Sequence, residues 1–162
     1  MTQRTLHISD DLSLPLDWIT LATVVYGARG SGKTTLGAVI AEEAAKCGQR
    51  FCAIDLKGDW YGLKSTANGK DAGLPVVVFG GDHQDVPLEE GAGAFVGETV
   101  ATLQQSCILD FELFSKGKQI KFLTDFFLSL YHSNREPLLL LADESQRYAP
   151  QTGGKSGGDV KI

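Results

Sequence analysis

Apolar positions fall into blocks along the chain, and the spacing inside each block changes between two values. Ala22 to Tyr26 is a short β-branched run and reads as a strand. From Lys33 to Cys47 the spacing is helical: Leu36, Val39, Ile40, Ala44 and Cys47 share one face, and Gly48 supplies a stop. Arg50 to Asp55 reads as a second strand, and Leu74 to Gly80, centred on Val76-Val77-Val78-Phe79, as a third. Ala94 to Gln104 predicts a helix and Ser106 to Asp110 a strand. Lys116 to Ser133 predicts an amphipathic helix with Ile120, Leu123, Phe127 and Leu130 on one side and Ser115 as its N-cap. Leu138 to Ala142 is an almost purely apolar strand that ends in Asp143-Glu144. Uninterrupted apolar strands alternating with helices predict an α/β fold, with a mostly parallel sheet covered on both faces.

Composition narrows the class. The chain has 162 residues, 43% of them hydrophobic, which suffices for one domain with its own core and excludes disorder throughout. The longest apolar-leaning stretch, Leu12 to Ala28, contains Pro15 and Asp17 and falls short of the roughly 20 clean residues a bilayer needs. No basic segment followed by an apolar run opens the chain, so the expected compartment is the cytoplasm. A net charge of -5 argues against coating nucleic acid by bulk charge, while leaving room for a local basic patch. Cys47, Cys52 and Cys107 form no CxxC pair and read as buried, reduced thiols; His7, His83 and His132 lack ligand spacing, so no His/Cys metal site is expected. The 19 glycines cluster at 27–32, at Gly80–Gly81, at Gly91 and Gly93, and in 153–158, where they mark turns and, over 151–162, a flexible tail.

Candidate chemistry lies at two places. Gly27-Ala28-Arg29-Gly30-Ser31-Gly32-Lys33-Thr34 fits G-x-x-x-x-G-K-[ST], the phosphate-binding loop. Glycines let the backbone wrap close enough for several N–H groups to face one anion, and the helix that follows adds its positive end. Gly27, Ala28, Arg29, Gly30, Ser31, Gly32, Lys33, Thr34 and Thr35 are therefore the candidate nucleotide-binding residues. Lys33 would reach the β- and γ-phosphates, and the Thr34 hydroxyl would bind Mg²⁺. The second place is Leu138-Leu139-Leu140-Leu141-Ala142-Asp143-Glu144, an apolar strand that delivers two acids at its carboxyl end, where ligands of such sheets sit. Asp143 can hold Mg²⁺ and Glu144 can polarise the attacking water, so Lys33 and Glu144 are the candidate catalytic residues. The segment Ile54-Asp55-Leu56-Lys57-Gly58-Asp59-Trp60 could bring Asp55 or Lys57 near the same site; equally, it could be a strand exit with a solvated lysine and a buried tryptophan.

Together the loop, the Ile54–Trp60 segment and Leu141-Ala142-Asp143-Glu144-Ser145-Gln146-Arg147-Tyr148-Ala149-Pro150 resemble the HerA/FtsK-like branch of RecA-type P-loop ATPases, closest to the HerA-like helicase/translocase ATPases. Ile108-Leu109-Asp110-Phe111 with its Phe-rich helix also looks like that family's middle segment. The resemblance implies a RecA-like P-loop NTPase fold across 1–162 and hydrolysis of ATP with Mg²⁺. It also implies a homo-oligomeric, often hexameric ring that moves or unwinds double-stranded DNA, with a nuclease or other effector as a possible partner. Two departures stand out. Only about 20 residues precede the first strand, where relatives carry a small β-barrel. In that family the strand that bears the polar sensor residue follows the acidic pair in sequence and lies between the two motif strands in space, and no such strand is found after Pro150. The expectation is an incomplete domain, the N-terminal half of a larger ATPase, with sensor and arginine finger elsewhere, so that the 162-residue chain alone can be inactive as an ATPase. Lys57, Lys64, Lys70, Lys116, Lys118 and Lys121 are candidate DNA contacts that form no evident stripe, and Arg29 and Arg147 are candidates for contact with phosphate or a neighbouring subunit. The alternative from another class is an ATP-binding regulatory or assembly module that docks a partner without translocating DNA; a small-molecule kinase fits less well, because the arginines are dispersed.

Overall fold

The computed structural model describes residues 5–66 and 69–145. Strands β1 (Thr5–Ser9) and β2 (Leu12–Pro15) form an antiparallel hairpin, followed by a short 3-10 turn at Leu16–Thr20 and helix α1 (Lys33–Lys46). Then come β3 (Phe51–Asp55), a 3-10 turn at Trp60–Lys64, β4 (Val76–Phe79), α2 (Gly93–Thr102), β5 (Ser106–Asp110), α3 (Lys116–Ser133) and β6 (Leu139–Ala142). The second sheet has the order β4-β5-β3-β6 with every pairing parallel, so the chain is α/β with a four-stranded parallel sheet flanked by helices.

Strand alternation divides the core in two. Cys52 and Ile54 of β3, with Cys107 and Leu109 of β5, face α2 and α3 and pack on Val96, Val100, Phe122, Phe126 and Leu130. Phe51, Ala53, Val78 and Ile108 face the opposite way, onto Ile40, Ala41 and Ala44 of α1 and onto Leu6 of the hairpin. All five residues of β3 are buried, as a strand covered on both faces requires. Cys52 and Cys107 sit in register as buried free thiols, while Cys47 is only half-buried.

Several expectations need correction. Ala22 to Tyr26 forms no strand; Val24 is 83% exposed and Tyr26 92% exposed. Among the described residues β6 pairs only with β3, and Ala22 to Tyr26 forms no ladder with its other edge. Both instead line one cavity of about 320 Å³, walled by Val24, Val25 and Leu139–Leu141. Nor is β6 covered on both faces: Leu140, opposite Cys52, is 42% exposed. The β1–β2 hairpin was not anticipated: its strands are short, and its polar tip, Asp10-Asp11, hides the alternation that buries Leu6.

The buried stripe of α3 is Gln119, Phe122, Leu123, Phe126 and Leu130, turned about one position from the expected one; Ile120 is exposed. Ser115 is the N-cap residue but makes no side-chain cap bond. What turns the helix is α2. Gly93 and Gly97, four apart on α2, meet the α3 backbone so closely that an added Cβ would lie 2.5 Å from Phe122 O and 2.7 Å from Phe126 O. Gly93 therefore serves helix packing, not a turn.

Arg50, just before β3, ties this layer to the sheet. Its guanidinium donates to Val100 O (2.8 Å), Leu103 O (2.7 Å) and Ala101 O (3.2 Å) at the C-terminal end of α2, and to Asn134 Oδ1 (2.8 Å) in the α3–β6 connection. Carbonyls at a helix end lack helical partners, so a planar cation with several donors suits the place.

Candidate functional site

Helix α1 begins at Lys33, and its first intrahelical bond runs from Leu36 N–H to Gly32 O at 2.8 Å. The N–H groups of Lys33, Thr34 and Thr35 therefore precede the ladder, at the positive end of a 14-residue helix. Upstream, Ser31 N–H donates to Ala28 O at 3.2 Å and closes a turn over Arg29 and Gly30. Gly30 (φ 78°) and Gly32 (φ 87°) occupy the left-handed region, which is where this sequence needs glycine. Lys33 Nζ folds back over the loop and donates to Gly27 O (3.0 Å) and Ala28 O (2.9 Å). The predicted loop is thus a turn that spirals into a helix N-terminus, with its lysine spanning the opening. Arg29 is exposed at its rim.

The second predicted place meets the first. Asp143 Oδ2 accepts from Thr34 Oγ1 at 2.8 Å, although 109 residues separate them. Register does this: Ile54 pairs with Ala142, and Asp143 N–H continues the alignment by donating to Ile54 O at 3.2 Å. Asp143 Oδ1 accepts from Glu144 N–H at 2.8 Å, and Glu144 itself lies at φ 52°, in the left-handed region. Its carboxylate Oε1 pairs with Lys57 Nζ at 2.5 Å, which raises the lysine's pKa above its ordinary value. Lys33, Thr34, Asp143 and Glu144 line one end of the cavity described above.

Of the pair singled out after β3, Lys57 reaches the site and Asp55 does not. The buried Asp55 carboxylate accepts from the N–H groups of Lys57 (2.9 Å), Gly58 (2.9 Å) and Trp60 (2.8 Å), so it shapes the turn that carries Lys57. Desolvation raises the pKa of Asp55, against the pull of these three bonds, and also that of Asp110, its neighbour across β3–β5. An acid at a strand end followed by glycine is a signal for such an Asx-type turn, and it was available in the sequence. Trp60 is buried, as one of the two readings expected, and packs against Gly37 of α1; its Nε1 finds no hydrogen-bond partner.

The donor set can hold a hard cation in a limited way. Thr34 Oγ1 and Asp143 Oδ2 already share one point, and among the described residues no group of three His, Cys, Asp or Glu side chains is placed for a metal. Two oxygens suit a Mg²⁺ that keeps most of its shell as water and phosphate, not a site built wholly by protein. Of the lysine candidates, Lys57 pairs with Glu144, Lys64 with Asp85 (2.6 Å) and Lys118 with Glu90. Arg147 lies outside the described residues, as do Tyr148 to Pro150 and 151–162. Among the described residues no helix is long and apolar enough to cross a membrane. No family model matches the chain, and no curated protein or solved structure matches it significantly.

Proposed function

We propose that this chain is a RecA-like P-loop ATPase, a HerA/FtsK-like motor that binds and hydrolyses Mg-ATP. In this reading it works in the cytoplasm as a homo-oligomeric, hexameric ring and drives the translocation or unwinding of double-stranded DNA, alongside a nuclease or other effector. The observation that carries the nucleotide part is the 2.8 Å bond between Thr34 Oγ1 and Asp143 Oδ2 at the start of α1. Two motifs read separately from the sequence come within one hydrogen bond of each other there, which supports the reading.

The chain's residues divide the work. The N–H groups at 33–35 and the turn of Gly27 to Gly32 would cradle the phosphates, and Lys33 would exchange its two loop carbonyls for phosphate oxygens. Thr34 and Asp143 would hold Mg²⁺, which when bound neutralises charge on the phosphate oxygens. Glu144 would orient the attacking water and accept its proton.

A second reading, an ATP-binding regulatory or assembly module that docks a partner without moving DNA, draws support from the one-sided pairing of β6 among the described residues, beside the exposed Ala22–Tyr26. Turnover of ATP with and without duplex DNA separates the two. Stimulation by DNA, lost in Glu144→Gln while nucleotide still binds, is the motor's result. Binding with no turnover under either condition overturns the motor and supports the module.

A further inference from the structure

We infer that Lys57 is a positioning residue for Glu144: the ammonium pairs with Glu144 Oε1 and holds the carboxylate in the place where it would meet the water to be activated. This deepens the hydrolase reading and rests on it. Glu144 stands one residue beyond Asp143 with its backbone in the left-handed region, so the β-ladder of β6, which ends at Ala142, no longer directs its side chain. Lys57 supplies that direction from the next strand. The two are 87 residues apart, but their strands are paired neighbours, and the residues just past Ile54 and Ala142 meet across the carboxyl end of the sheet.

The clamp is itself held. Asp55 fixes the turn through the N–H groups of Lys57, Gly58 and Trp60, and Gly58 adopts φ 78°. An added Cβ at Gly58 would strike the Glu112 carboxylate at 2.5 Å, so the turn is also wedged from outside. At its far end the Trp60 ring lies against Gly37 of α1, the helix that begins with Lys33 and Thr34. One buried carboxylate thus sets the lysine, and the lysine sets the glutamate, on a turn anchored to the phosphate-loop helix. Ion pairs at this exposure (48% for Lys57, 28% for Glu144) contribute little to stability, so the pair is better explained by orientation.

The test uses the full chain and Lys57→Met. In nucleotide-free protein the Glu144 side-chain ¹³C resonance is expected to shift in the variant. Turnover of ATP should fall by roughly 10- to 100-fold in kcat, the scale of a misaligned base, while the Mg-ATP Kd measured by calorimetry changes less than about twofold, since ground-state contacts are untouched. Lys57→Arg should recover most of the loss, and Lys57→Met combined with Glu144→Gln should be no slower than Glu144→Gln alone. An unmoved ¹³C resonance, an unchanged or raised kcat in Lys57→Met, or an arginine variant as slow as methionine overturns the inference while leaving the ATPase reading intact. A wild-type chain that neither binds Mg-ATP nor turns it over brings both down.

Discussion

Replacing Arg50 by Ala tests whether one guanidinium fixes the α2–α3 layer against the sheet. Four of its hydrogen bonds, to Val100 O, Leu103 O, Ala101 O and Asn134 Oδ1, measure 2.7–3.2 Å and are partly buried. A hydrogen bond to a charged group contributes about 1.5–3 kcal/mol, but water can reach some of the freed carbonyls, so the four do not simply add. Taking two carbonyls as left without a partner at about 1 kcal/mol each, plus about 0.5 kcal/mol for a cation at the end of α2, gives a loss of about 2–3 kcal/mol. Urea unfolding followed by circular dichroism reads it as a lower midpoint at unchanged slope. Arg50→Lys should recover only part, because an ammonium has three donors on one atom and cannot span the same acceptors. A loss below about 0.5 kcal/mol in the alanine variant, the level of an ordinary surface change, would refute the clamp.

The close contact of α2 with α3 predicts that Gly97→Ala destabilises by about 1–3 kcal/mol, because its Cβ would meet Phe126 O at 2.7 Å and Leu130 N at 3.0 Å and backbone must move. Gly117→Ala, in α3 with open space around it, should instead stabilise by about 0.4–1 kcal/mol; thermal melts of the pair giving equal signs would count against this packing. Burial raises the Asp110 pKa, so the folded state binds its proton more tightly than the unfolded chain does. Stability contributed there is present at acid pH and falls as pH rises from the ordinary carboxylate range through the raised value. Asp110→Asn keeps an acceptor for Glu112 N–H, and its urea midpoint should vary less than the wild type's between about pH 4 and about pH 7; an identical pH slope would contradict the assignment.

Where a segment's neighbours lie on both sides, its pattern reveals it: Ser106–Asp110 and Lys116–Ser133 match their predicted spans. Position on a face was harder. The α3 stripe is set by two glycines of another helix, a tertiary fact that helical spacing within α3 does not contain. Ala22–Tyr26 has strand composition without a strand: it shares a cavity with β6 but forms no ladder with it, and sequence reports only the willingness to pair. At the candidate site, the residues that a phosphate loop must contain were legible from local spacing, and so was the acidic pair. The contact between Thr34 and Asp143 depends on strand register, and the partnership of Lys57 with Glu144 on two strand exits that only the fold makes adjacent. The role of Arg50 is not legible in the sequence for the same reason: most of its partners are backbone carbonyls, which leave no trace in side-chain pattern.

The central claim is a working phosphate cradle at the start of α1, and calorimetric titration of Mg-ATP into the 162-residue chain, with Lys33→Ala as the control, tests it most directly. The account predicts binding by the wild type that is lost or weakened by at least about tenfold, near 1.4 kcal/mol, in Lys33→Ala. Equal affinity in both proteins, or no binding by the wild type, would contradict it.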